Sequence, residues 1–164
     1  MPDRPEAPPF VLPLPDLAAT ETLACALARQ LRPGDIIALY GDLGAGKTAL
    51  ARALIRALPG PEGASEEEVP SPTFTLVQTY ERDLAPVWHF DLYRIEAPEE
   101  IEELGLSEAL AESIVLIEWP ERLARPLPAG ALSVTLTFGL NAEARQARLE
   151  GAGDWPERLA ELIP

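Results

Sequence analysis

The sequence predicts one α/β domain in three layers, with helices on both sides of a mainly parallel central sheet. Three observations support this prediction. The apolar run 35–40 is followed at once by a glycine-rich turn and by strong helix formers at 47–58. A second unbroken aliphatic run, 114–117, is typical of a buried parallel strand. Alternating apolar residues at 131–138, followed by 144–150, add an antiparallel hairpin.

The glycine-rich turn carries the most specific motif of the chain. Its sequence fits G-x-x-x-x-G-K-T, the P-loop pattern, in which backbone N–H groups and a helix N-terminus converge on nucleotide phosphates. Lys47 is the only lysine, and its compact ammonium suits this position better than the planar guanidinium of arginine. We therefore predict a P-loop NTPase-like fold and a catalytic role for Lys47. The predicted phosphate-binding residues are Gly41, Asp42, Leu43, Gly44, Ala45, Gly46, Lys47 and Thr48.

Composition limits the partners and the location that we expect. The formal net charge is −14 at pH 7, whereas a protein that binds a nucleic-acid backbone by itself needs a basic surface. We therefore expect no direct binding of tRNA, DNA or an anionic membrane. Cys25 is the only cysteine, and its apolar neighbours predict a buried structural thiol. No apolar run has the length of a membrane span and no signal peptide is recognisable, so we expect a cytoplasmic protein.

The N-terminal part divides into a tail and the start of the domain. We expect 1–10 to be a flexible proline-rich tail and 11–164 to be a single P-loop ATPase domain. A first helix begins at a capping residue, either Asp16 or Thr20, and continues to about Arg32. Its inward-facing residues are predicted to be Leu23, Leu27 and Leu31.

The segments after the P-loop helix predict further small elements. A loop at 71–80 leads into a strand, and 86–93 forms a second strand close enough to pair with it as a hairpin. Pro98 begins a short acidic helix, and Ser107 is a candidate cap for a successor. The chain ends in a helix predicted over 154–163.

Two acidic residues are candidates for the carboxylates that a P-loop protein needs. Mg²⁺ is normally held by the hydroxyl that follows the P-loop lysine, here Thr48, and by an acid at the end of a hydrophobic strand. Glu118 ends the aliphatic run 114–117, and Asp91 ends the less uniform run 87–90. We place Glu118 on the metal, whereas Asp91 would orient or deprotonate the attacking water, or stabilise the loop that does so. The sequence alone also allows the reverse assignment.

Several neighbouring residues have more than one interpretation. Thr73 and Thr75 lie in a loop of the kind that senses a γ-phosphate, although β-propensity explains them equally well. His89 is assigned a structural role, and Trp119 either packs in the core or contacts the nucleotide or a partner. Because Lys47 is the sole lysine, an Asn-Lys-x-Asp guanine-binding motif is impossible. The nucleotide is therefore expected to be ATP.

Four segments together resemble the TsaE family, in the order and spacing of that family, over roughly 14–150. TsaE proteins are small bacterial ATPases needed to form threonylcarbamoyladenosine on tRNA. The P-loop alone is common to many families, but the other three segments make the resemblance specific. The four segments are Gly41–Thr48, Ser71–Leu76, His89–Arg94 and Ile117–Pro120.

The resemblance implies a set of roles and partners. Thr48 and Glu118 would hold Mg²⁺, Leu43–Thr48 would wrap the phosphates of ATP, and Asp91 would be needed for hydrolysis. The segment near Leu17 and the late hairpin near Arg145 would approach the adenine. Family members act with a complex of the transferase TsaD and its paralogue TsaB, so the resemblance predicts that this chain supports such a complex through protein contacts.

Two other classes of function remain as alternatives. A small P-loop kinase of a metabolite would need arginines that clamp the transferred phosphoryl group, and the sequence shows no clustered arginine segment. A nucleotide-binding scaffold that hydrolyses nothing would not need Asp91 and Glu118. An ATPase that assists tRNA modification is therefore favoured over both.

Lysine labelling tests the P-loop assignment. An amine-reactive ATP analogue should modify Lys47 and at most the α-amino group, and excess Mg-ATP should protect Lys47, as peptide mass spectrometry would show. Lys47→Ala should lower ATP turnover by roughly 10²-fold or more, because a preorganised charge next to a developing anion is lost. Labelling that Mg-ATP does not affect, or near-normal turnover in the variant, would contradict the assignment.

Overall fold

The computed structural model describes residues 7–162, in which seven strands form one sheet flanked by helices. Two 3₁₀ turns, Ala64–Glu66 and Pro120–Arg122, lie in the connections. The strands are β1 (Phe10–Leu14), β2 (Ile36–Tyr40), β3 (Val77–Tyr80), β4 (Val87–Asp91), β5 (Ile114–Glu118), β6 (Leu132–Phe138) and β7 (Arg145–Gly151). The α-helices are α1 (Leu17–Gln30), α2 (Lys47–Ala57), α3 (Pro98–Glu103), α4 (Leu106–Glu112) and α5 (Trp155–Ala160).

The sheet is mixed, with the strand order β1-β7-β6-β2-β5-β4-β3. The four adjacent strands β6, β2, β5 and β4 are parallel to one another. The remaining pairings, β6 with β7, β7 with β1, and β4 with β3, are antiparallel. The predicted hairpins β3–β4 and β6–β7 are both confirmed. The expectation of a mainly parallel sheet holds only for these four strands, because the sheet as a whole has as many antiparallel as parallel pairings.

Two apolar cores lie on opposite faces of the sheet. Helices α1, α2 and α5 contribute to one core, and α3 and α4 contribute to the other. Strand β5 shows the division, because Ile114 and Leu116 belong to the first core whereas Val115 and Ile117 belong to the second. Successive side chains of a strand point to opposite faces, so an all-aliphatic strand covered on both sides is what this sequence requires.

The first helix begins where a side chain can satisfy its free N–H groups. The Asp16 carboxylate accepts a hydrogen bond from the backbone N–H of Ala19 at 2.9 Å, which makes Asp16 the cap, while Thr20 is a buried residue inside the helix. The predicted inward-facing residues are all buried: Leu23, Leu27 and Leu31.

Three local predictions differ from the structure. Phe10, placed in the tail by the sequence, is the first residue of β1, a strand that was not predicted. Cys25 is exposed rather than buried. The buried face of α1 is formed by other residues, including Leu23, Ala24 and Leu27, and Cys25 lies outside that face. Ser107 lies inside α4, which Gly105 precedes with a left-handed φ of 92°, and its hydroxyl donates to Glu102 at 2.6 Å.

The predicted tail falls largely outside the described residues. Residues 1–6 are not described, and 7–9 have no regular structure before β1 begins. The extent of the tail and the single-domain organisation stay predictions. Within 7–162, the structure contains no helix that is both long and apolar enough to cross a membrane.

The candidate site residues collect at one edge of the parallel strands. The carboxyl ends of β2, β4 and β5 lie side by side, and the P-loop follows directly after β2. In open α/β sheets this edge is where ligands bind. The strand register aligns Asp91 on β4 with Glu118 on β5, and Glu118 with Leu39 on β2.

Candidate active site

The P-loop is shaped by glycines with positive φ and by contact with β6. The φ angles of Gly41, Gly44 and Gly46 are 146°, 79° and 106°. A Cβ on Gly41 would lie 2.6 Å from the backbone oxygen of Leu136, so the loop passes against β6 at a distance that only glycine permits. The N–H of Ala45 donates to the carbonyl of Asp42 at 3.0 Å, and this turn directs the chain into α2.

Lys47 lies inside the loop, with 5% of its surface exposed. Its ammonium donates to the backbone oxygen of Gly41 and to that of Asp42, the latter at 3.0 Å. The ammonium also lies 4.1 Å from the centre of the Trp119 ring. Burial lowers the pKa of Lys47 from its ordinary value, and nearby carboxylates, of which Glu118 contributes most, oppose that shift. A phosphate group at this position would replace the backbone oxygens of Gly41 and Asp42 as acceptors for the ammonium.

The two candidate acids make different hydrogen bonds. The hydroxyl of Thr48 donates to Oε1 of Glu118 at 2.7 Å. Asp91 instead accepts from the Tyr93 backbone N–H at 3.0 Å and from the Thr73 hydroxyl at 3.2 Å. Burial raises the pKa of Asp91, while the hydrogen bond from Tyr93 acts in the opposite direction. Glu118 is thus joined to the P-loop helix, whereas Asp91 is joined to the loop before β3.

These side chains line one open cavity of about 350 Å³. Its oxygen-bearing side chains include Thr48, Glu118 and Asp91, which are hard ligands of the kind that Mg²⁺ prefers. Within 7–162, no group of three or more acidic, histidine or cysteine side chains is placed to hold a metal by itself. The oxygen ligands of Thr48, Glu118 and Asp91 fit a Mg²⁺ that other ligands would complete. The lining residues are Leu43, Gly44, Gly46, Lys47, Thr48, Ala49, Thr73, Asp91, Tyr93, Arg94, Glu118 and Trp119.

His89 lies directly behind the cavity on β4. Its side chain is completely buried, and Nε2 is 2.7 Å from Oε2 of Glu118. The predicted structural role therefore includes a direct contact with a site carboxylate. The sequence did not reveal this contact, because it depends on the pairing of β4 with β5.

The structure does not bring every predicted site residue into the cavity. Leu17 lines a separate groove of about 420 Å³ between α1 and α2, and Ala49 lines both spaces. Arg145 lies at the P-loop, where its Nη2 donates to the Gly44 carbonyl oxygen at 3.1 Å. Thr75 accepts from the Gln78 side chain at 3.0 Å. Contacts of Leu17 and Arg145 with adenine stay predictions.

Three cavity residues were given no role, or more than one, by the sequence. Trp119 has a left-handed φ of 58°, which brings its ring to Lys47 and to Tyr93, whose ring centre is 4.8 Å away. Arg94 lines the cavity and lies over the exposed Phe74 ring at 4.7 Å. Tyr93 and Arg94 lie within the His89–Arg94 segment, shortly after the candidate acid Asp91. That position was the available signal in the sequence.

Comparison with known proteins identifies the family. The model of the family described as "Threonylcarbamoyl adenosine biosynthesis protein TsaE" matches residues 14–148, a range that includes the P-loop, Asp91 and Glu118. The chain belongs to the TsaE family. The resemblance stated from the four sequence segments is confirmed.

Individual TsaE relatives match much of the chain. Proteins named tRNA threonylcarbamoyladenosine biosynthesis protein TsaE from Rickettsia felis, Synechocystis sp. and Bacillus subtilis are 44%, 46% and 33% identical to it. The alignments cover 71%, 67% and 88% of this chain, and 66%, 69% and 87% of the respective relatives. The chain therefore spans slightly less than two thirds of the Rickettsia felis protein.

A solved structure has the same fold as this TsaE chain. The crystal structure of Bacillus subtilis YdiB matches with a TM-score of 0.75 and 25% sequence identity. The match covers 94% of this chain and 93% of YdiB. The α/β arrangement with a mixed seven-stranded sheet is therefore shared along nearly the whole length.

Two glycine substitutions test the contact between the P-loop and β6. Gly41→Ala and Gly34→Ala both place a side chain at positive φ, which costs roughly 1–2 kcal/mol of folding free energy. Only Gly41→Ala also forces a Cβ against the Leu136 backbone, because the space around Gly34 is open. We expect Gly41→Ala to lower the unfolding free energy more, in urea denaturation, and to lose nucleotide binding. Gly34→Ala should retain binding, and equal loss in both variants would contradict this account.

Proposed function

We propose that this chain is an Mg²⁺-dependent ATPase with a three-layer P-loop NTPase-like fold. It supports a TsaD/TsaB-type complex in forming threonylcarbamoyladenosine on tRNA. The observation that carries the proposal is the hydrogen bond between Thr48 and Glu118 beside the ammonium of Lys47. It joins a P-loop hydroxyl to a strand-end carboxylate, which is the ligand pair that P-loop NTPases use for Mg²⁺. Membership of the TsaE family supports the link to tRNA modification.

The proposed mechanism assigns one task to each side chain. A bound Mg²⁺ would supply positive charge that offsets the negative charge of the phosphates. Thr48 and Glu118 would hold the metal, and the ammonium of Lys47 would exchange its backbone partners for β- and γ-phosphate oxygens. Backbone N–H groups of 43–48 would bind the phosphates at the N-terminus of α2.

We propose that Asp91 acts on water rather than on the metal. Its hydrogen bonds from Thr73 and Tyr93 fix the carboxylate at the cavity wall. Because burial raises the pKa of Asp91, its carboxylate is a better proton acceptor than an exposed one. In the proposed step, water bonds to the γ-phosphorus, the bond to the β–γ bridging oxygen breaks, and Asp91 accepts the proton of the water.

Protein contacts, rather than tRNA contacts, are the proposed route to the modification complex. A net charge of −14 opposes binding to the tRNA backbone by the chain itself. Large apolar side chains are exposed beside the cavity, and Phe74, next to the lining residue Thr73, has 82% of its surface exposed. Contiguous exposed apolar patches mark protein-binding surfaces, and we propose that Phe74 belongs to one. Leu43, which lines the cavity, and Phe138, whose ring lies near Gly44, are exposed as well.

We propose that the complex also controls the rate of hydrolysis. The loop that carries Thr73 and Phe74 reaches the Asp91 carboxylate through one side-chain hydrogen bond of 3.2 Å, and the Asp91 backbone N–H donates to the Leu76 carbonyl oxygen at 3.0 Å. A partner that covers Phe74 would order this loop and with it Asp91. Turnover should therefore be slow for the isolated chain and altered by the complex. The proposed location is the cytoplasm, because the proposed reaction system acts on tRNA.

Substitution of the two acids tests their separate roles. Glu118→Gln should lose ATP turnover in a way that high Mg²⁺ partly restores, because a metal ligand is weakened. Asp91→Asn should retain nucleotide binding but lose roughly 10²- to 10⁴-fold in turnover at any Mg²⁺ concentration, because a proton acceptor is removed. Steady-state kinetics over a range of Mg²⁺ concentrations measures both. Exchanged phenotypes would reverse the assignment, and full activity in both variants would remove the site.

Reconstitution of tRNA modification tests the function itself. A purified TsaD/TsaB-type complex should form threonylcarbamoyladenosine over repeated turnovers only when this chain and ATP are present. Lys47→Ala should bind the complex yet fail to sustain those turnovers. The quantity to measure is modified nucleoside per complex. Equal repeated turnover without this chain would show that the proposed function is wrong, and tight, salt-sensitive tRNA binding by the isolated chain would contradict the charge argument.

A further inference from the structure

A buried histidine contacts the proposed metal ligand from behind. His89 has no exposed surface, and its Nε2 lies 2.7 Å from Oε2 of Glu118, which is itself only 2% exposed. The other ring nitrogen, Nδ1, is buried and has no hydrogen-bond partner among residues 7–162. Both facts concern the only histidine of the chain.

Core packing alone does not account for a histidine at this position. His89 lies on β4, where Val87 two residues earlier belongs to the apolar core of the same strand face. A buried nitrogen without a partner destabilises the folded state, whereas an aliphatic side chain would carry no such penalty. The bond to Glu118 is the one polar interaction that the buried ring makes in the described structure.

The two oxygens of Glu118 have separate partners. Oε1 accepts from the hydroxyl of Thr48 at 2.7 Å, and Oε2 faces His89 Nε2. Because a carboxylate oxygen accepts hydrogen bonds, Nε2 is assigned as the donor of this pair. Because Oε2 is hydrogen-bonded to His89, the carboxylate cannot rotate about its terminal torsion without breaking that hydrogen bond. Oε1 thereby stays directed at Thr48 and the cavity.

We propose that His89 is a positioning residue that donates from Nε2 to Glu118 and fixes its carboxylate for Mg²⁺. This inference rests on the proposed function, because it assumes that Glu118 binds the metal. Partners behind a metal ligand orient it, and their loss typically weakens metal affinity or activity about 10- to 100-fold. His89 itself does not touch metal or nucleotide. Its effect is transmitted through Glu118.

Nitrogen NMR tests the hydrogen bond without any nucleotide or metal. With ¹⁵N-labelled histidine, the chain gives signals from a single imidazole ring. We expect Nε2 to carry a proton that exchanges slowly with water and that shows a hydrogen-bonded shift. In Glu118→Ala this signal should move and its exchange should accelerate. A ring protonated only at Nδ1, or a signal that Glu118→Ala leaves unchanged, would overturn the proposal.

A magnesium titration tests the consequence for the metal. The readout is the rise in thermal unfolding midpoint that Mg²⁺ adds to a fixed concentration of a non-hydrolysable ATP analogue. His89→Leu removes the donor, and its half-saturating Mg²⁺ concentration should rise about 10- to 100-fold. His89→Gln keeps an N–H donor and should recover most of the difference. Stabilisation by the analogue without Mg²⁺ should be the same in both variants as in the unsubstituted protein.

Val87→Ala is the matched control for instability. Val87 lies on the same strand and core face, is fully buried, and makes no contact with Glu118 through a polar atom. This variant should lower the unfolding midpoint without changing the Mg²⁺ requirement. An unchanged Mg²⁺ requirement in His89→Leu would overturn the positioning role while leaving the proposed ATPase intact. If Mg²⁺ adds nothing to the unsubstituted protein, the proposed function fails, and this inference fails with it.

Discussion

The parallel register of β2, β4 and β5 is the constraint on which the site depends. It places Asp91 beside Glu118, and Glu118 beside Leu39, at the strand ends from which the P-loop departs. A shift of one residue in β4 or β5 would turn the acid to the opposite face of the sheet. A shift in β5 would also exchange its aliphatic side chains between the two cores that cover its faces. The same strand pairing therefore fixes both the packing of the two cores and the positions of the two acids.

The site keeps polar groups in the interior that apolar packing alone would not favour. Lys47, His89, Asp91 and Glu118 are all buried, and hydrogen bonds to backbone or side chains offset much of their desolvation. The arrangement leaves His89 Nδ1 unpaired within the described residues. Such a cluster lowers folding stability relative to an apolar core, and its value lies in holding charges in fixed positions before a ligand arrives.

The β6–β7 hairpin contacts the P-loop in addition to extending the sheet. Its first strand passes so close to Gly41 that a methyl group would not fit, and Arg145 from its second strand bonds to the Gly44 carbonyl oxygen. The guanidinium of Arg145 also lies over the exposed Phe138 ring at 4.7 Å. The hairpin is in turn paired with β1. The shape of the P-loop thus depends on residues far from it in sequence.

The sequence by itself determined the local elements and the residues of the predicted P-loop. Residue patterns and turn residues are local, so β2, α2, β5 and both hairpins were predictable, as were Asp91 and Glu118 as strand-end acids. Tertiary structure decided the rest. β1 contains Pro13 and, among the strands of residues 7–162, pairs only with β7, so its strand character depends on a distant partner. Cys25 is exposed because α1 packs against the core through a different face of the helix. The contact of His89 with Glu118 exists only because two strands separated in sequence pair in one register, which no local pattern specifies.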